Sequence, residues 1–188
     1  MRRVLYLLTS LILVSCGGQK HILNTSNESH VLEINNTMPD EESVILIGPA
    51  SEDGLKQAPF NEWYNANHTD YEVDINTIAA LKHLLKDVKV KLFMGTWCDD
   101  SKRETPRFYK IMAAAEYSKS NIELITLSRE KDTPQGFEVG LNITYIPTFI
   151  FYKNDKEVNR IVESPVTSLE KDMITILTGQ EYKHTYEE

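Results

Sequence analysis

One cysteine stands where a predicted buried strand gives way to a predicted helix, and this junction constrains the fold more than any other feature. A strand is predicted over Val88–Met94, because Val and Lys alternate before the run becomes fully apolar. Gly95 and Thr96 then form a turn, and a helix is predicted to begin just after Trp97-Cys98. Free backbone N–H groups and the helix dipole at such a start favour a thiolate. The sequence therefore predicts a reactive thiol at Cys98, with an inert buried cysteine as the alternative.

The residues after Cys98 modify this expectation. The fourth position of a C-x-x-C pattern is occupied by Ser101, so the site holds one thiol where two are common. The Ser101 hydroxyl can hydrogen-bond a thiolate, or it can simply supply polarity at the helix start. Asp99 and Asp100 place negative charge beside the sulfur and oppose thiolate formation, or they stabilise the first turn of the helix. The balance of these effects is open from sequence.

The N-terminus predicts export and lipid attachment. Two arginines precede an apolar run from Val4 to Val14, which is too short to span a bilayer and has the layout of a signal peptide. The run ends in Leu13-Val14-Ser15-Cys16, which resembles the lipobox of bacterial lipoproteins. That resemblance implies a signal peptide over residues 1–15 and lipidation of Cys16. The alternatives are an ordinary signal peptide and an uncleaved anchor.

The cysteine count and the net charge narrow the function classes. The chain has two cysteines, so a lipidated Cys16 leaves Cys98 as the only thiol and excludes an intramolecular disulfide. Five dispersed histidines show no metal-ligand spacing, and we expect neither a metal site nor a cofactor. The formal net charge is −8, and removal of residues 1–15 lowers it to about −10. No basic stripe is present, so nucleic acid is not an expected partner.

The first half of the mature chain is divided into two segments. Residues 16–42 are polar and predict a flexible tether. Residues 43–87 predict an N-terminal elaboration that packs on the core. Within it we expect a strand over residues 43–47 closed by Gly48-Pro49, one or two helical turns over residues 59–64, and a helix over residues 75–86. Asp74 is the predicted N-cap of that last helix, and its predicted apolar face holds Ile75, Ile78, Leu81 and Leu85.

Residues 88–180 predict the core, followed by a polar tail over 181–188. The helix after Cys98 has an apolar face of Phe108, Ile111, Met112 and Ala115. The next expected elements are a strand over 122–127 and a short helix over 134–140. Two antiparallel strands over 147–152 and 157–162 follow, joined by a turn at Asn154-Asp155. The last expected helix begins with a capping box at Thr167–Glu170, directs Leu169, Met173 and Ile176 inward, and ends at Gly179. This order predicts an α/β fold with a central mixed sheet, helices on both faces and an N-terminal strand and helix extension.

The region from about Val88 to Gly179 resembles the thioredoxin family. Trp97-Cys98 lies at the strand–helix junction, and Pro106 follows the cysteine by eight residues, where thioredoxins kink the same helix. Tyr145-Ile146-Pro147-Thr148-Phe149 is similar to the family's cis-proline segment, and Lys153-Asn154-Asp155 lies at its hairpin turn. The whole chain resembles the lipid-anchored thioredoxin-like proteins of Gram-negative envelopes.

The resemblance implies roles for particular residues. Cys98 matches the cysteine that attacks a substrate disulfide, Ser101 replaces the cysteine that resolves the intermediate, and a cis Ile146-Pro147 would pack beside the sulfur. Trp97, Ile146 and Pro147 are the expected substrate-binding residues, although Trp97 can equally be a packing residue. Leu92 replaces a buried Asp that serves the second thiol in dithiol thioredoxins. Glu163 lies near the position where many thioredoxins have a glycine after the hairpin. It is either a substrate contact or a simple loop residue.

Two functions follow as expectations. The first is monothiol thiol–disulfide exchange through Cys98, of the isomerase or de-glutathionylation type, with protein or small-molecule thiols and disulfides as partners. The alternative is a non-catalytic thioredoxin-fold module that binds a peptide or protein. In both cases we expect a lipid-anchored protein of the bacterial cell envelope, on the inner or outer membrane, with its domain facing the periplasm. The oligomeric state is not predicted.

Overall fold

The computed structural model describes residues 33–41 and 43–187 of the 188-residue chain. The predicted signal peptide over residues 1–15, the lipidation site Cys16 and most of the predicted tether over 16–42 lie outside the described residues. Within the described ranges, no helix is both long enough and apolar enough to cross a membrane.

The described chain alternates short strands with helices before it ends in a hairpin and a helix. The strands are β1 (Thr37–Pro39), β2 (Val44–Leu46), β3 (Gly48–Ala50), β4 (Val88–Met94), β5 (Ile122–Thr126), β6 (Thr148–Lys153) and β7 (Lys156–Val162). The helices are α1 (Glu52–Leu55), α2 (Asn61–Asp70), α3 (Ile75–Leu84), α4 (Asp99–Ala114) and α5 (Leu169–Leu177), and a single 3-10 turn covers Lys119–Asn121.

The main sheet of the described chain has five strands in the order β3-β5-β4-β6-β7. Strands β4 and β5 are parallel, whereas β3, β6 and β7 each pair with their neighbours in the antiparallel sense. Strands β1 and β2 form a separate hairpin. The predicted fold class is confirmed, because a central mixed sheet is flanked by helices.

Successive residues of the central strand β4 contribute to two different cores, because neighbouring side chains of a strand point to opposite faces. Leu92 belongs to the larger core, together with Phe108 of α4, Phe149 of β6 and Met173 of α5. Phe93 belongs to a smaller core with Ile125, Leu127, Ile146 and Ile150. Trp97 and Cys98 pack against this smaller core. The thiol therefore lies at the edge of the core on the Phe93 side of the sheet.

Several elements form where local sequence patterns place them. The Asp74 carboxylate accepts a hydrogen bond from the Asn76 N–H at 3.1 Å, and this confirms the predicted N-cap of α3. Asn154 and Asp155 both have positive φ, at 51° and 58°, as a tight hairpin turn requires. The predicted apolar face of α4 is buried at Phe108 and the three residues predicted to share that face.

The predicted strand over residues 43–47 ends before Gly48-Pro49, since β2 covers Val44–Leu46. The sequence did not predict that Gly48 also begins a new strand. This strand, β3, pairs with β5, and the Thr126 hydroxyl donates to the Gly48 carbonyl at 3.0 Å. A tertiary partner in β5 thus starts a second strand where the local sequence signals only a stop.

The predicted short helix over 134–140 is also wrong, because this segment forms turns. Gly136 has a φ of +72°, which is incompatible with a right-handed helix. The Thr133 hydroxyl donates to the Glu138 carboxylate at 2.6 Å and accepts from the Phe137 N–H at 2.9 Å. These local hydrogen bonds satisfy groups that a helix would otherwise use.

Helix α2 is longer than the one or two turns predicted over residues 59–64. It extends to Asp70, through a polar stretch that has no helical periodicity. Lys110 of α4 donates to the Thr69 carbonyl at 3.1 Å and to the Tyr71 carbonyl at 2.7 Å. A lysine from a neighbouring helix therefore satisfies carbonyls at the end of α2.

The helix-end predictions need two further corrections. The N-cap of α5 is Ser168 and not Thr167, because the Ser168 hydroxyl accepts from the Lys171 N–H at 3.3 Å. Glu170 does not complete a capping box, since its carboxylate accepts from the Tyr71 hydroxyl at 2.8 Å. Ile75 is 72% exposed and so does not belong to the buried face of α3.

Candidate active site at Cys98

The turn between β4 and α4 places Cys98 at the N-cap of the helix. The Cys98 N–H donates to the Gly95 carbonyl at 3.1 Å, and the Cys98 carbonyl accepts from the Lys102 N–H at 2.9 Å. Cys98 is a free, half-buried thiol. Its extended backbone, with φ −86° and ψ 126°, is typical of an N-cap residue. The sulfur thus lies at the positive end of a 16-residue helix, where an anion is stabilised.

The loop before β6 approaches the sulfur from the other side. The peptide bond between Ile146 and Pro147 is cis, as predicted. The Cys98 Sγ lies 3.5 Å from the Ile146 carbonyl oxygen. The Thr148 hydroxyl donates to the Tyr145 carbonyl at 2.6 Å and holds the loop against the start of the strand. The predicted meeting of this loop with the start of the Cys98 helix is confirmed.

Ser101 lies one helical turn after Cys98 and is fully buried, with 0% exposure. Its hydroxyl oxygen accepts a hydrogen bond from the Gly95 N–H at 3.2 Å. Ser101 therefore fastens the first turn of α4 to the end of β4. The hydrogen bond that the structure shows for this hydroxyl is to the backbone of Gly95, and none joins it to the Cys98 sulfur.

Trp97 is held by its indole group and by close packing. The indole Nε1 donates to the Leu127 carbonyl at 3.0 Å. The Arg129 guanidinium carbon lies 5.5 Å from the ring centroid, within cation–π range. A Cβ placed on Gly95 would lie 2.7 Å from atoms of the indole, so the ring needs a glycine at this position. Because it is half-buried, Trp97 fills space beside the motif and also keeps an accessible surface.

The two aspartates after Cys98 each face a cation one turn later. Asp99 pairs with Lys102 at 3.2 Å, and Asp100 pairs with Arg103. Arg103 also donates to the Ser164 hydroxyl at 3.0 Å, which joins α4 to the segment after β7. The formal charges of these four side chains cancel, so the negative field expected from the sequence is offset. The i, i+3 spacing of the pairs is a signal that the sequence analysis missed.

The segment before β4 forms a wall beside the motif. The Leu46 N–H of β2 donates to the Thr96 hydroxyl at 3.2 Å. Asp40 binds Arg129 through both carboxylate oxygens, at 2.9 Å to Nε and 2.7 Å to Nη2. A cavity of about 170 Å³ lies between this wall and Trp97. The carboxyl group of Asp40 keeps a pKa below its usual value because of the hydrogen bond from Arg129.

Glu163 contacts both the cis-proline loop and the C-terminal tail at Tyr186, and the sequence did not predict either contact. The Glu163 N–H donates to the Pro147 carbonyl at 2.7 Å, and the residue adopts a φ of +64°. Its carboxylate accepts a hydrogen bond from the Tyr186 hydroxyl. No local sequence pattern predicts this contact, since the two residues are 23 positions apart.

Leu92, which lies six residues before Cys98, is fully buried in β4 among the larger core. An apolar side chain therefore occupies the position where the resemblance to dithiol thioredoxins implies a buried aspartate. Among the residues that the structure describes, no group of three or more His, Cys, Asp or Glu side chains could hold a metal ion.

Comparison with known proteins decides the family. The thioredoxin family model matches residues 67–175, which is more than half of the chain. The chain belongs to the thioredoxin family. Thiol–disulfide redox chemistry is the general function of that family, and its general substrates are thiols and disulfides.

The individual relatives are distant thioredoxins. The chain is similar to Thioredoxin H4-2 of Oryza sativa subsp. japonica, with 30% identity over 96 residues that cover 50% of this chain and 68% of that protein. It is also similar to Thioredoxin-2 of Saccharomyces cerevisiae, with 36% identity over 70 residues. That match covers 37% of this chain and 62% of the yeast protein. A solved protein of unknown function from Pseudomonas aeruginosa matches with 14% identity and a TM-score of 0.32, over 65% of this chain and 89% of that one.

Proposed function

We propose that this thioredoxin-family protein is a monothiol thiol–disulfide exchange protein of the bacterial envelope, with Cys98 as its nucleophile. The observation that carries the proposal is the position of Cys98. Cys98 is half-buried, and its sulfur lies at the N-terminus of α4, 3.5 Å from the carbonyl of the cis-proline loop. Ser101 occupies the position of a resolving thiol and is buried against Gly95.

The reaction has two exchange steps. The Cys98 thiolate attacks one sulfur of a substrate disulfide, a new S–S bond joins Cys98 to that sulfur, and the other sulfur leaves as a thiolate that takes a proton from water. An external thiol, as its thiolate, then attacks the substrate sulfur of the mixed disulfide, a new S–S bond joins these two sulfurs, and Cys98 leaves as the thiolate. Since Ser101 cannot attack a disulfide, release depends on that second molecule. This requirement suits isomerisation or de-glutathionylation better than net reduction of a disulfide.

The proposed location rests on the N-terminal sequence. A signal peptide over residues 1–15 and a lipid on Cys16 would attach the protein to the inner or outer membrane, with the domain in the periplasm. The predicted tether over residues 16–42 is too long at its C-terminal end, because Thr37–Pro39 pairs with β2 and Asp40 binds Arg129. The polar residues before β1 would then act as the tether, with residues 43–87 as an elaboration on the core of residues 88–180 and residues 181–188 as the tail.

The first test measures the reactivity of Cys98 in a full-length chain that carries Cys16→Ser, so that Cys98 is its only thiol. Alkylation rates are measured against pH in the folded chain and in the same chain unfolded in urea. A functional thiol reacts faster in the folded chain at neutral pH, and it forms a mixed disulfide with glutathione disulfide. A folded thiol that reacts more slowly than the unfolded one at every pH contradicts the proposal.

The alternative function, a binding module without redox activity, has one observation in its favour. The Ser101 hydroxyl accepts a hydrogen bond from the Gly95 N–H, and the hydrogen bonds found at Cys98 and Ser101 include none between these two side chains. An inert Cys98 combined with peptide binding at the cis-proline loop would support this alternative.

The second test adds the missing thiol with Ser101→Cys. Residues at i and i+3 of a helix are about 5–6 Å apart at Cβ, which lies close to the range that a disulfide needs. Insulin reduction under dithiothreitol should be near background for the natural chain and should rise for Ser101→Cys. Ser101→Ala is the matched control, because it removes the same hydroxyl without adding a thiol. A variant that forms no internal disulfide and gains no activity would place Cys98 outside a dithiol geometry.

A further inference from the structure

The chain's own C-terminal tail lies against the cis-proline loop. The start of the tail is fixed, since the Tyr182 hydroxyl donates to the Asp172 carboxylate at 3.0 Å and the Tyr182 carbonyl accepts from the Asn159 amide at 3.1 Å. Further along the tail, the ring of Tyr186 stacks on that of Tyr145, with 3.7 Å between the ring centroids and 8° between the ring planes. The Tyr186 hydroxyl donates to the Glu163 carboxylate.

Tyr145 and Glu163, which together we name the tail-docking surface, flank the proline beside the thiol. Tyr145 immediately precedes Ile146, whose carbonyl lies 3.5 Å from the Cys98 sulfur. The Glu163 N–H donates to the Pro147 carbonyl at 2.7 Å. A polypeptide that brings a disulfide to Cys98 along this loop therefore meets the tail-docking surface, where Tyr186 already lies.

The tail is seated without being packed into the core. Tyr145 and Tyr186 are each 40% exposed, although their rings stack. A cavity of about 570 Å³ borders the tail, with Lys131, Asn142 and Arg160 among its lining residues. Neither Tyr145 nor Tyr186 belongs to the two buried cores, so release of this contact leaves both cores intact.

We propose that the tail-docking surface receives an aromatic residue of the substrate polypeptide, and that Tyr186 is an internal competitor for the same position. The proposal rests on the function proposed above. The surface offers an exposed ring for stacking and a carboxylate that accepts a hydrogen bond. A tyrosine satisfies both, as Tyr186 shows, whereas an aliphatic residue satisfies neither. This proposal also gives Glu163 a role as the acceptor of the hydrogen bond from the docked tyrosine, a role that the sequence alone did not assign.

The competition is tested in the detergent-solubilised full-length chain carrying Cys16→Ser. The probes are a synthetic peptide disulfide with Tyr two residues before its cysteine, the same peptide with Ala in place of Tyr, and 2-hydroxyethyl disulfide. Tyr186→Ala should raise the rate of mixed-disulfide formation with the Tyr peptide by about two- to tenfold, the range expected for one aromatic pair. Rates with the Ala peptide and with 2-hydroxyethyl disulfide should stay unchanged.

Two further variants separate the contacts. Tyr186→Phe keeps the stacking ring and loses the hydrogen bond to Glu163, so its effect should be smaller than that of Tyr186→Ala. Thr185→Ala changes an exposed neighbour in the same tail and should have no effect. Equal rates for the natural tail and Tyr186→Ala with the Tyr peptide would overturn the proposal.

A binding measurement keeps the proposal independent of redox activity. In Cys98→Ser chains, NMR titration with the reduced Tyr peptide should show tighter binding when Tyr186→Ala is added, with shifts at Tyr145. Failure of every disulfide to react with Cys98, together with this tighter binding, would reject the proposed exchange function and retain the docking surface. Unchanged binding would reject the docking surface whatever the reactivity of Cys98.

Discussion

Replacement of Gly95 by alanine should disturb the active-site motif through Trp97. The new Cβ would lie 2.7 Å from Cε2 and Nε1 of the indole and 3.0 Å from Cδ1 of Ile146. Real Cβ atoms do not approach other atoms at 2.7 Å, so the indole ring has to move. Its displacement also strains the 3.0 Å hydrogen bond from Nε1 to the Leu127 carbonyl.

The expected loss of stability follows from these contacts. Overpacking of a filled site costs about 1–3 kcal/mol, and loss of one hydrogen bond costs about 0.5–1.5 kcal/mol. Alanine also restricts the unfolded chain, which offsets about 0.4–1 kcal/mol where the backbone tolerates it. We therefore expect Gly95→Ala to lower the free energy of unfolding by about 0.5–4 kcal/mol.

A double-mutant cycle tests the reasoning, with urea unfolding followed by circular dichroism. In a Trp97→Ala background the remaining close atom is the end of the flexible Ile146 side chain, so Gly95→Ala should cost much less there. The coupling energy should be about 1–3 kcal/mol. The alkylation rate of Cys98 should also change in the single variant, since Trp97 precedes the thiol. An equal cost in both backgrounds would refute the assignment of the strain to Trp97.

Three other predictions concern the buried strand, a buried carboxylate and the N-terminus. Leu92→Asp added to Ser101→Cys should raise insulin reduction further, because the new carboxylate can accept the proton of the second thiol. It should also lower the free energy of unfolding by about 3–5 kcal/mol, because it buries a carboxylate at a fully enclosed position. A stable double variant with no gain in rate would contradict this role as proton acceptor. Burial tends to raise the pKa of Glu52, but hydrogen bonds from Lys119, Lys56 and Tyr64 outweigh it and lower that pKa below its usual 4.5. The resulting stabilisation is complete well above pH 4.5 and is lost as the pH falls through the lowered value, so Glu52→Gln should cost about 1–3 kcal/mol at pH 7 and progressively less as the pH is lowered below 4.5 in urea unfolding. A cost independent of pH would show that the charge of Glu52 does not stabilise the fold. Globomycin should leave an unprocessed precursor, and Cys16→Ser should release or mislocalise the protein on fractionation, whereas a Cys16→Ser chain that stays membrane-bound and is processed normally would contradict the lipobox.

Short-range patterns were enough to predict the elements around the thiol. The alternation in β4, the apolar face of α4, the Asp74 cap and the Asn154-Asp155 turn depend on residues within one or two turns of each other. The cis-proline loop was predicted by resemblance to a family whose motif spacings this chain shares. These features place Cys98 at the start of a helix and bring Ile146 beside it.

Local patterns misled where a distant or irregular partner decides the backbone. Gly48 and Pro49 signal a stop, yet they begin a strand because β5 lies beside them. Thr133 redirects the segment before Gly140 into turns through its own hydrogen bonds. Glu170 has the spacing of a capping box, but its carboxylate is taken by Tyr71, 99 residues earlier in the chain.

The sequence by itself determined the fold class, the thiol and the absence of a second thiol at the site, because strand and helix periodicity and the motif spacings are local properties of the chain. Only the tertiary structure decided what surrounds that thiol. Thr96 receives its hydrogen bond from β2, 50 residues earlier, and Tyr186 reaches Glu163 and Tyr145 from the tail. Such contacts depend on how distant segments pack, and single side chains such as Glu163 carry no local signal of the partner that they meet.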